Sequence, residues 1–180
     1  MDLRIELADE AALPRVVDIM NWAAEHTVAN FAIEPEPLEM WADAWHRTHR
    51  FHPWFVARTD VAIVGFAKSS PHRVRKAYDW FAEVTVYIDP AFHGKRIGTA
   101  LYERLFPTLH AQGYAMLLAG IVGGHAASER LHERFGFERC GTFRRAGWKF
   151  QQWHDVGYWQ KALRGAEYVP TPVRPVAEVV

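Results

Sequence analysis

The chain has 180 residues, of which 49% are hydrophobic and 23% are charged. This length and composition predict one globular domain with a sizeable buried core, and they exclude an intrinsically disordered chain. Lys and Arg number 21, as do Asp and Glu, so the net charge is zero and nucleic-acid binding through bulk charge is excluded.

The first third of the chain predicts one strand, two amphipathic helices and a pair of strands. Apolar residues recur at helical spacing after Pro14, which suits a first helical turn. The predicted elements are a strand at 3–7, a helix around 16–23, a helix around 38–45, and strands at 54–57 and 62–66. The start of the chain lacks a signal-peptide pattern and the single Cys140 cannot form an internal disulfide, so we expect a cytoplasmic protein.

The most informative strand is predicted at 80–88. Its even positions are all apolar, whereas its odd positions include Glu83, Thr85 and Tyr87. This alternation is typical of a strand with one buried face and one polar face. The loop 93–98 then leads into a helix with leucines at i+4 steps, in which Pro107 is expected to cause a kink or an early end.

The rest of the chain predicts strands and one short helix, followed by a proline-containing tail. The predicted elements are a strand at 115–121, a helix at 126–135, and strands at 137–150 and 154–161. We therefore expect an α/β protein with a mixed sheet of about seven strands in a domain spanning 1–165, and an extended tail at 166–180.

The order strand, glycine-containing loop, helix is one that can bind a phosphate. Backbone N–H groups at a helix N-terminus lie unpaired beside the positive end of the helix dipole, and Lys95 and Arg96 add positive charge. The glycines of such a loop can equally serve turn geometry alone.

Two segments give this region a family resemblance. HGKRIG at 93–98 is similar to the loop Gln/Arg-x-x-Gly-x-Gly/Ala of the GNAT superfamily of N-acetyltransferases, with Gly98 matching and Arg96 replacing the first glycine. The segment 125–137 resembles Asn-x-x-Ala-x-x-x-Tyr-x-x-x-Gly-Phe, with His125 at the Asn position and His132 at the Tyr position.

Further segments resemble one family within this superfamily, the phosphinothricin N-acetyltransferases, which are close to the methionine sulfoximine and methionine sulfone acetyltransferases. These segments are AYDW at 77–80, the strand around Glu83, RLHE at 130–133, WHDVGYWQ at 153–160 and the tail PVRPV at 172–176. The resemblance implies a GNAT fold, acetyl-CoA as acetyl donor, a small amino-acid acceptor, a homodimer and a role in herbicide resistance. No metal is implied.

The resemblance also implies roles for single residues. Glu83 would remove a proton from the acceptor amine, a backbone N–H near Val86 would stabilise the oxyanion, and His132 would assist the leaving thiol. The coenzyme would be bound by Val86, Tyr87, Ile88, His93, Gly94, Lys95, Arg96, Ile97, Gly98, Thr99, His125 and Ser128. Without the resemblance, Glu83 would be a solvated strand residue and His132 a packed surface histidine.

The acceptor site is expected at Arg73, Arg75 and Tyr78 together with Asn30 and Phe31. Two arginines two residues apart on an extended segment point to the same side, which suits an acceptor with two anionic groups and disfavours a polyamine. The same charges are also typical of a solvated turn.

Three departures from the family pattern affect these expectations. Ala32 stands where herbicide-specific members carry Arg, which leaves methionine sulfoximine, methionine sulfone or another amino acid open as acceptor. Arg96 is expected to be harmless if its φ is negative, and His125 loses an amide that orients the coenzyme arm. The alternatives are a GNAT enzyme for another amine, such as a peptide N-terminus, or a silent coenzyme-binding module.

Overall fold

The computed structural model describes residues 2–180, which form seven strands and four α-helices. The strands are β1 Arg4–Leu7, β2 Trp54–Arg58, β3 Ile63–Pro71, β4 Phe81–Ile88, β5 Met116–Val122, β6 Glu138–Lys149 and β7 Gln152–Ala162. The helices are α1 Leu13–His26, α2 Leu38–Thr48, α3 Ile97–Gln112 and α4 Ala126–Arg134. The predicted elements are therefore present, with boundaries shifted by a few residues.

All seven strands form one sheet in the order β1-β2-β3-β4-β5-β7-β6. Strands β4 and β5 are paired in parallel, and every other neighbouring pair is antiparallel. The expected mixed α/β sheet is confirmed.

Each face of the sheet carries its own hydrophobic core. One core packs the buried line Ile97, Leu101, Leu105 and Leu109 of α3 against the sheet. The other core packs α1 and Trp41 of α2 against the opposite face. Alternation along β4 divides the strand between the two faces, since Ala82 and Val84 are buried on the α3 side while Glu83 is half-buried.

Helix α3 does not end early at Pro107, where a kink or an early end was expected. The helix continues through Pro107 to Gln112, and Gly113 ends it with a φ of 103°. Because the flanking Leu105 and Leu109 are fully buried, tertiary packing holds the helix across the hydrogen bond that proline cannot donate.

The C-terminal tail packs against the body of the protein. Gln112 exchanges two hydrogen bonds of 2.8 Å with Arg174, one through its backbone carbonyl and one through its side-chain amide. Val176 is buried, and the Trp80 indole N–H donates to the carbonyl of Thr171 at 2.6 Å. No helix among residues 2–180 is long and apolar enough to cross a membrane.

Candidate active site

The candidate site begins where β4 and β5 separate. Their pairing covers Phe81–Met116, Ala82–Leu117 and Glu83–Leu118, and it stops there although both strands continue. The rest of β4 stays paired with β3, and the rest of β5 stays paired with β7. The sheet therefore opens at Glu83 into a wedge between β4 and β5.

A cavity of about 610 Å³ occupies this wedge and continues to the N-terminal ends of α3 and α4. Its wall includes both predicted catalytic residues, Glu83 and His132. It also includes every residue predicted to bind the coenzyme: Val86, Tyr87, Ile88, His93, Gly94, Lys95, Arg96, Ile97, Gly98, Thr99, His125 and Ser128. The structure thus brings together two segments that are about 30 residues apart in the chain.

Backbone geometry leaves a hydrogen-bond donor in the wedge. The N–H of Asp89 donates to the carbonyl of Val64, on the β3 side of the chain. Because successive N–H groups of a strand alternate between its two edges, the N–H of Val86 points toward the β5 side. Strand β5 does not pair with β4 at that level, so this N–H faces the cavity.

The loop before α3 is held in a left-handed backbone conformation at two positions. Gly94 has a φ of 75° and Arg96 a φ of 59°. Arg96 therefore does not meet the condition under which it was expected to be harmless, a negative φ, and a residue with a side chain is strained in this region. The conformation turns the chain sharply into α3, so the first amides of that helix face the cavity.

The charged residues of this loop surround the same helix end. The Lys95 ammonium lies 4.5 Å from the ring centre of Phe92, and His93 Nε2 donates to the Ile88 carbonyl at 3.0 Å. Free helix amides, a positive helix end and basic side chains suit a ligand with phosphates at one end. The wedge behind them offers the apolar side chains of β4 and β5 to a less polar arm.

His125 caps α4 in place of the family's Asn. Its Nδ1 accepts a hydrogen bond from the N–H of Ser128 at 3.2 Å, so the ring proton resides on Nε2. Because His125 and Ser128 both line the cavity, the Nε2–H of His125 remains available to donate a hydrogen bond to a ligand.

His132 lies deep in the wall, with 3% of its surface exposed. Its Nδ1 is 2.8 Å from the carbonyl of Ser128, which fixes the ring proton on Nδ1. Nε2 therefore accepts from the Tyr102 hydroxyl at 2.9 Å. Burial lowers the pKa of His132, opposed by the Ser128 hydrogen bond, and raises that of Tyr102. His132 is thus a neutral acceptor that orients the Tyr102 hydroxyl, and its proton-donor role remains a prediction.

Glu83 lies at the point where the wedge opens. Its Oε1 is 2.7 Å from Nδ1 of His72, and its side chain is 44% exposed. Lys68, on the neighbouring strand β3, is half-buried, with its ammonium beside the rings of Trp41 and Trp54. Burial lowers the pKa of Lys68 to about 8, and the charge of Glu83 opposes this shift.

The arginines predicted to bind the acceptor lie outside the 610 Å³ cavity, on the segment that follows β3. Arg73 Nε donates to Nε2 of His72 at 3.4 Å, and the Tyr78 ring meets the His72 ring edge-on at 5.4 Å. Arg73 and Tyr78 are thereby connected to Glu83 through His72. Arg75 is exposed and precedes the short 3₁₀ turn Lys76–Tyr78.

Asn30 and Phe31 lie on the loop between α1 and α2. Asn30 uses its side chain within the loop region, since Nδ2 donates to Met20 and Oδ1 accepts from the Ala32 N–H. The Phe31 ring lies against Gly147 of β6, where a Cβ atom would overlap it. Neither residue lines the cavity, although Ala29 does.

Lys149 fixes this loop to the sheet. Its buried ammonium donates to the backbone carbonyls of Ala24 and Asn30. Tyr87, predicted to bind the coenzyme, holds the same loop from β4, because its hydroxyl donates to the carbonyl of Ala29 at 2.6 Å. Burial raises the pKa of Tyr87 to about 12.

Sequence reasoning missed several residues of the site. The sequence singles out neither His72 nor Tyr102, yet both contact the predicted catalytic side chains. Each lies on a different element from its partner, 11 and 30 residues away in the chain, so no periodicity within one element connects them. The remaining unpredicted cavity residues include Trp22, Ala23, Thr27, Ala29, Gly120, Leu131 and Tyr158.

Other sequence candidates lie away from the cavity. No group of three or more His, Cys, Asp or Glu side chains among residues 2–180 is arranged to hold a metal ion. Cys140 is exposed on β6, with its Sγ 3.3 Å from the carbonyl of Tyr158.

Comparison with known proteins finds acetyltransferases that match nearly the whole chain. The family model for the acetyltransferase (GNAT) family matches residues 16–137. The chain is 37% identical to a phosphinothricin N-acetyltransferase of Streptomyces viridochromogenes, over 98% of this chain and 96% of the relative. It is 33% identical to an L-methionine sulfoximine/L-methionine sulfone acetyltransferase of Pseudomonas paraeruginosa, over 94% of this chain and 100% of the relative.

A solved structure shares both fold and sequence features. This is a GNAT superfamily phosphinothricin acetyltransferase from Sinorhizobium meliloti in complex with AcCoA. It matches with a TM-score of 0.89 and 31% identity, and the match covers 95% of this chain and 94% of that one.

Proposed function

The chain belongs to the GNAT family of acetyltransferases, and we propose that it moves the acetyl group of acetyl-CoA to the α-amine of a small anionic amino acid. It is an acetyl-CoA-dependent N-acetyltransferase, and its acceptor resembles an amino acid. The observation that carries the finer proposal is the position of Glu83 where β4 and β5 separate, beside the cavity that holds all the predicted coenzyme residues.

Glu83 removes a proton from the acceptor ammonium in the proposed mechanism. An ammonium nitrogen has no lone pair with which to attack a thioester, so one N–H bond must break first. The proton moves to the Glu83 carboxylate, directly or through one water, and the free amine attacks the thioester carbonyl carbon. The half-exposed carboxylate is accessible to an acceptor entering from outside the cavity.

The attack forms a C–N bond and places negative charge on the former carbonyl oxygen. The cavity-facing N–H of Val86 is the proposed donor to this oxyanion. When the intermediate collapses, the C–S bond breaks, and the extra proton on the positively charged nitrogen passes to the leaving thiolate, directly or through one water. We assign assistance at this step to His132, acting through the Tyr102 hydroxyl that it orients.

Arg73, Arg75 and Tyr78 bind the acidic groups of the acceptor in this proposal. Two guanidiniums can hold a carboxylate and a second oxygen-rich group, and they repel polycations. Because Ala32 offers no charge, one anion contact of the herbicide-specific pattern is absent. We therefore place methionine sulfoximine and methionine sulfone beside phosphinothricin as leading acceptors.

The β6–β7 hairpin supports the proposal of a homodimer. At this edge of the sheet Phe143, Trp148, Phe150 and Trp153 are 62%, 53%, 51% and 56% exposed. Clusters of exposed aromatic side chains mark association surfaces, and a second copy of this chain is the proposed occupant. Sedimentation velocity should give a dimer that dissociates in Trp148→Ser/Trp153→Ser, and a wild-type monomer at micromolar concentration would reject the homodimer.

The acceptor proposal is tested by measuring thiol release from acetyl-CoA with a panel of amines. The panel holds phosphinothricin, methionine sulfoximine, methionine sulfone, the common amino acids, spermidine and a short peptide. We expect turnover with the amino-acid analogues and a raised acceptor KM in Arg75→Gln, with Arg47→Gln as an exposed control on α2. Turnover confined to spermidine or the peptide would reject the proposed acceptor class.

A further inference from the structure

His72 contacts Glu83 across the β3–β4 pair. The register places Ser70 opposite Glu83, and His72 follows two residues later, just beyond the end of β3. Its Nδ1 lies 2.7 Å from Glu83 Oε1, a normal hydrogen-bond length. The His72 side chain is 14% exposed, whereas that of Glu83 is 44% exposed, so the imidazole is the more fixed partner.

Two aromatic rings hold the His72 imidazole in place. The Phe81 ring packs against it with ring centres 4.5 Å apart and planes inclined by 36°. The Tyr78 ring meets it edge-on, at 5.4 Å and 73°. Since packing on two sides restricts rotation of the ring, Nδ1 remains directed at Glu83.

The hydrogen bonds of His72 also fix its tautomer. Arg73 Nε lies 3.4 Å from His72 Nε2, and a guanidinium can only donate. Nε2 is therefore the acceptor nitrogen, and Nδ1 carries the proton donated to Glu83.

This arrangement gives the two oxygens of Glu83 different surroundings. Oε1 accepts from His72, while Oε2 has no hydrogen-bond partner among residues 2–180. A carboxylate held at one oxygen keeps a single orientation, and its other oxygen is left to receive a proton. In the reaction the N–H bond of the ammonium breaks and an O–H bond forms at Oε2, while His72 keeps its own proton.

We propose that His72 is a positioning residue that orients the Glu83 carboxylate for proton removal from the acceptor. This inference rests on the proposed function, because it needs Glu83 as the base. It also connects acceptor binding to the base, since Arg73, one of the residues expected to bind the acceptor, donates to His72. When the anionic group of an acceptor binds Arg73, the acceptor is thus linked through His72 to Glu83. Glu83 is the carboxylate that receives the proton of the acceptor's ammonium.

Three ionisable groups face this pair from the elements around it. Arg73 lies on the same segment, Tyr78 on the following 3₁₀ turn, and Lys68 on β3. All three groups remain in the chain when His72 alone is replaced, but Arg73 then loses its hydrogen-bond acceptor and Tyr78 loses a packing partner. A comparison of pH profiles between the wild type and the His72 variants therefore reports on the imidazole together with these two contacts.

The test replaces His72 by Phe, Leu and Gln. Phe keeps an aromatic ring against Phe81 but removes both nitrogens, Leu removes the ring as well, and Gln can restore a donor. His49→Phe is the matched control, because His49 is an exposed imidazole stacked on Trp45 at 4.2 Å on the surface of α2. We measure kcat, the KM values for acetyl-CoA and for the acceptor, and the pH profile, with methionine sulfoximine as acceptor.

We expect His72→Phe and His72→Leu to lower kcat by about 10-fold to 100-fold, the scale of a misoriented catalytic group. KM for acetyl-CoA should stay unchanged, and the pH profile of kcat/KM should differ from that of the wild type, since the carboxylate has lost its hydrogen-bond donor. His72→Gln should recover part of the loss, and His49→Phe should match the wild type.

The Glu83→Gln background separates this inference from the proposed function. If Glu83→Gln keeps full turnover, the base assignment fails. If Glu83→Gln loses turnover but His72→Phe and His72→Leu keep the wild-type kcat and pH profile, only the role of His72 is overturned. Because His72 acts through Glu83, His72→Phe should have no further effect in the Glu83→Gln protein, and an equal loss there would also overturn the inference.

Discussion

Replacement of Arg96 by glycine should stabilise the protein. Arg96 has a φ of 59°, in a region where an L-residue costs about 1–2 kcal/mol. Glycine removes that cost but loses about 0.5–1 kcal/mol more backbone entropy on folding. The net gain in the free energy of unfolding is therefore about 0.5–1 kcal/mol, or about 1–4 °C in Tm for a chain of this size.

The matched variant is Arg96→Ala. It removes the guanidinium as Arg96→Gly does, but it keeps a Cβ atom in the left-handed conformation. Arg96→Gly should therefore exceed Arg96→Ala in stability by about 0.5–1 kcal/mol. Urea denaturation followed by Trp fluorescence measures both values, with the m-value as a check on two-state unfolding.

Either of two results would refute this reasoning. Equal stability of Arg96→Gly and Arg96→Ala would mean that backbone strain is absent at this position. A loss of stability in Arg96→Gly alone would mean that the loop needs a stiffer residue than glycine. Isothermal titration with CoA adds a functional readout. Because both variants lose the same charge, any difference in their affinity for CoA reports on the direction of the α3 amides.

Three further results are expected. Gly147→Ala should raise the KM for the acceptor and leave the KM for acetyl-CoA unchanged, because a Cβ atom at position 147 would displace the Phe31 ring. Steady-state kinetics in which both KM values equal those of the wild type would contradict this. Lys149→Met should lower the free energy of unfolding by about 2–3 kcal/mol in urea denaturation, because the Asn30 carbonyl loses a charged donor, and an unchanged midpoint would contradict it. His52 has its pKa lowered to about 4, by burial first and then by the charge of Lys68. The unfolded chain therefore takes up a proton near pH 6.5 that the folded chain takes up only near pH 4. The free energy of unfolding should accordingly fall by about 1.4 kcal/mol per pH unit as the pH drops from 6.5 to 4. Denaturation at several pH values measures this slope, and His52→Gln should flatten it.

Periodicity in the sequence was sufficient to predict most of the fold. The alternation along β4 and the i+4 leucines of α3 are local patterns, and each corresponds to an element with the expected buried face. The early end that Pro107 could have caused is absent, because burial of its flanking leucines, a tertiary property, outweighs the local preference of proline.

The sequence predicted the residues of the candidate site that lie in motifs, but not the residues that contact them from other elements. Loop 93–98 and the start of α4 carry motif spacing, and all of their predicted residues line the cavity. The partners of the catalytic side chains come from other elements, as His72 does for Glu83 and Tyr102 does for His132. Their positions depend on sheet register and helix packing, which no single segment encodes.

The conformation of Arg96 also could not be read from its neighbours. Its side chain suggested an ordinary φ, whereas the turn from the loop into α3 requires a left-handed residue at that point. Glycine at this position in the family pattern is explained by the left-handed backbone, which glycine adopts without strain.

The most direct test of the central claim compares the wild type with Glu83→Gln, a change that keeps the size of the side chain and removes its charge. Thiol release from acetyl-CoA is measured at saturating methionine sulfoximine, with acetyl-CoA binding measured separately by calorimetry. The account predicts that kcat falls by about 100-fold to 10,000-fold while acetyl-CoA affinity stays unchanged, as removal of a general base requires. A Glu83→Gln protein that turns over at the wild-type rate would contradict it.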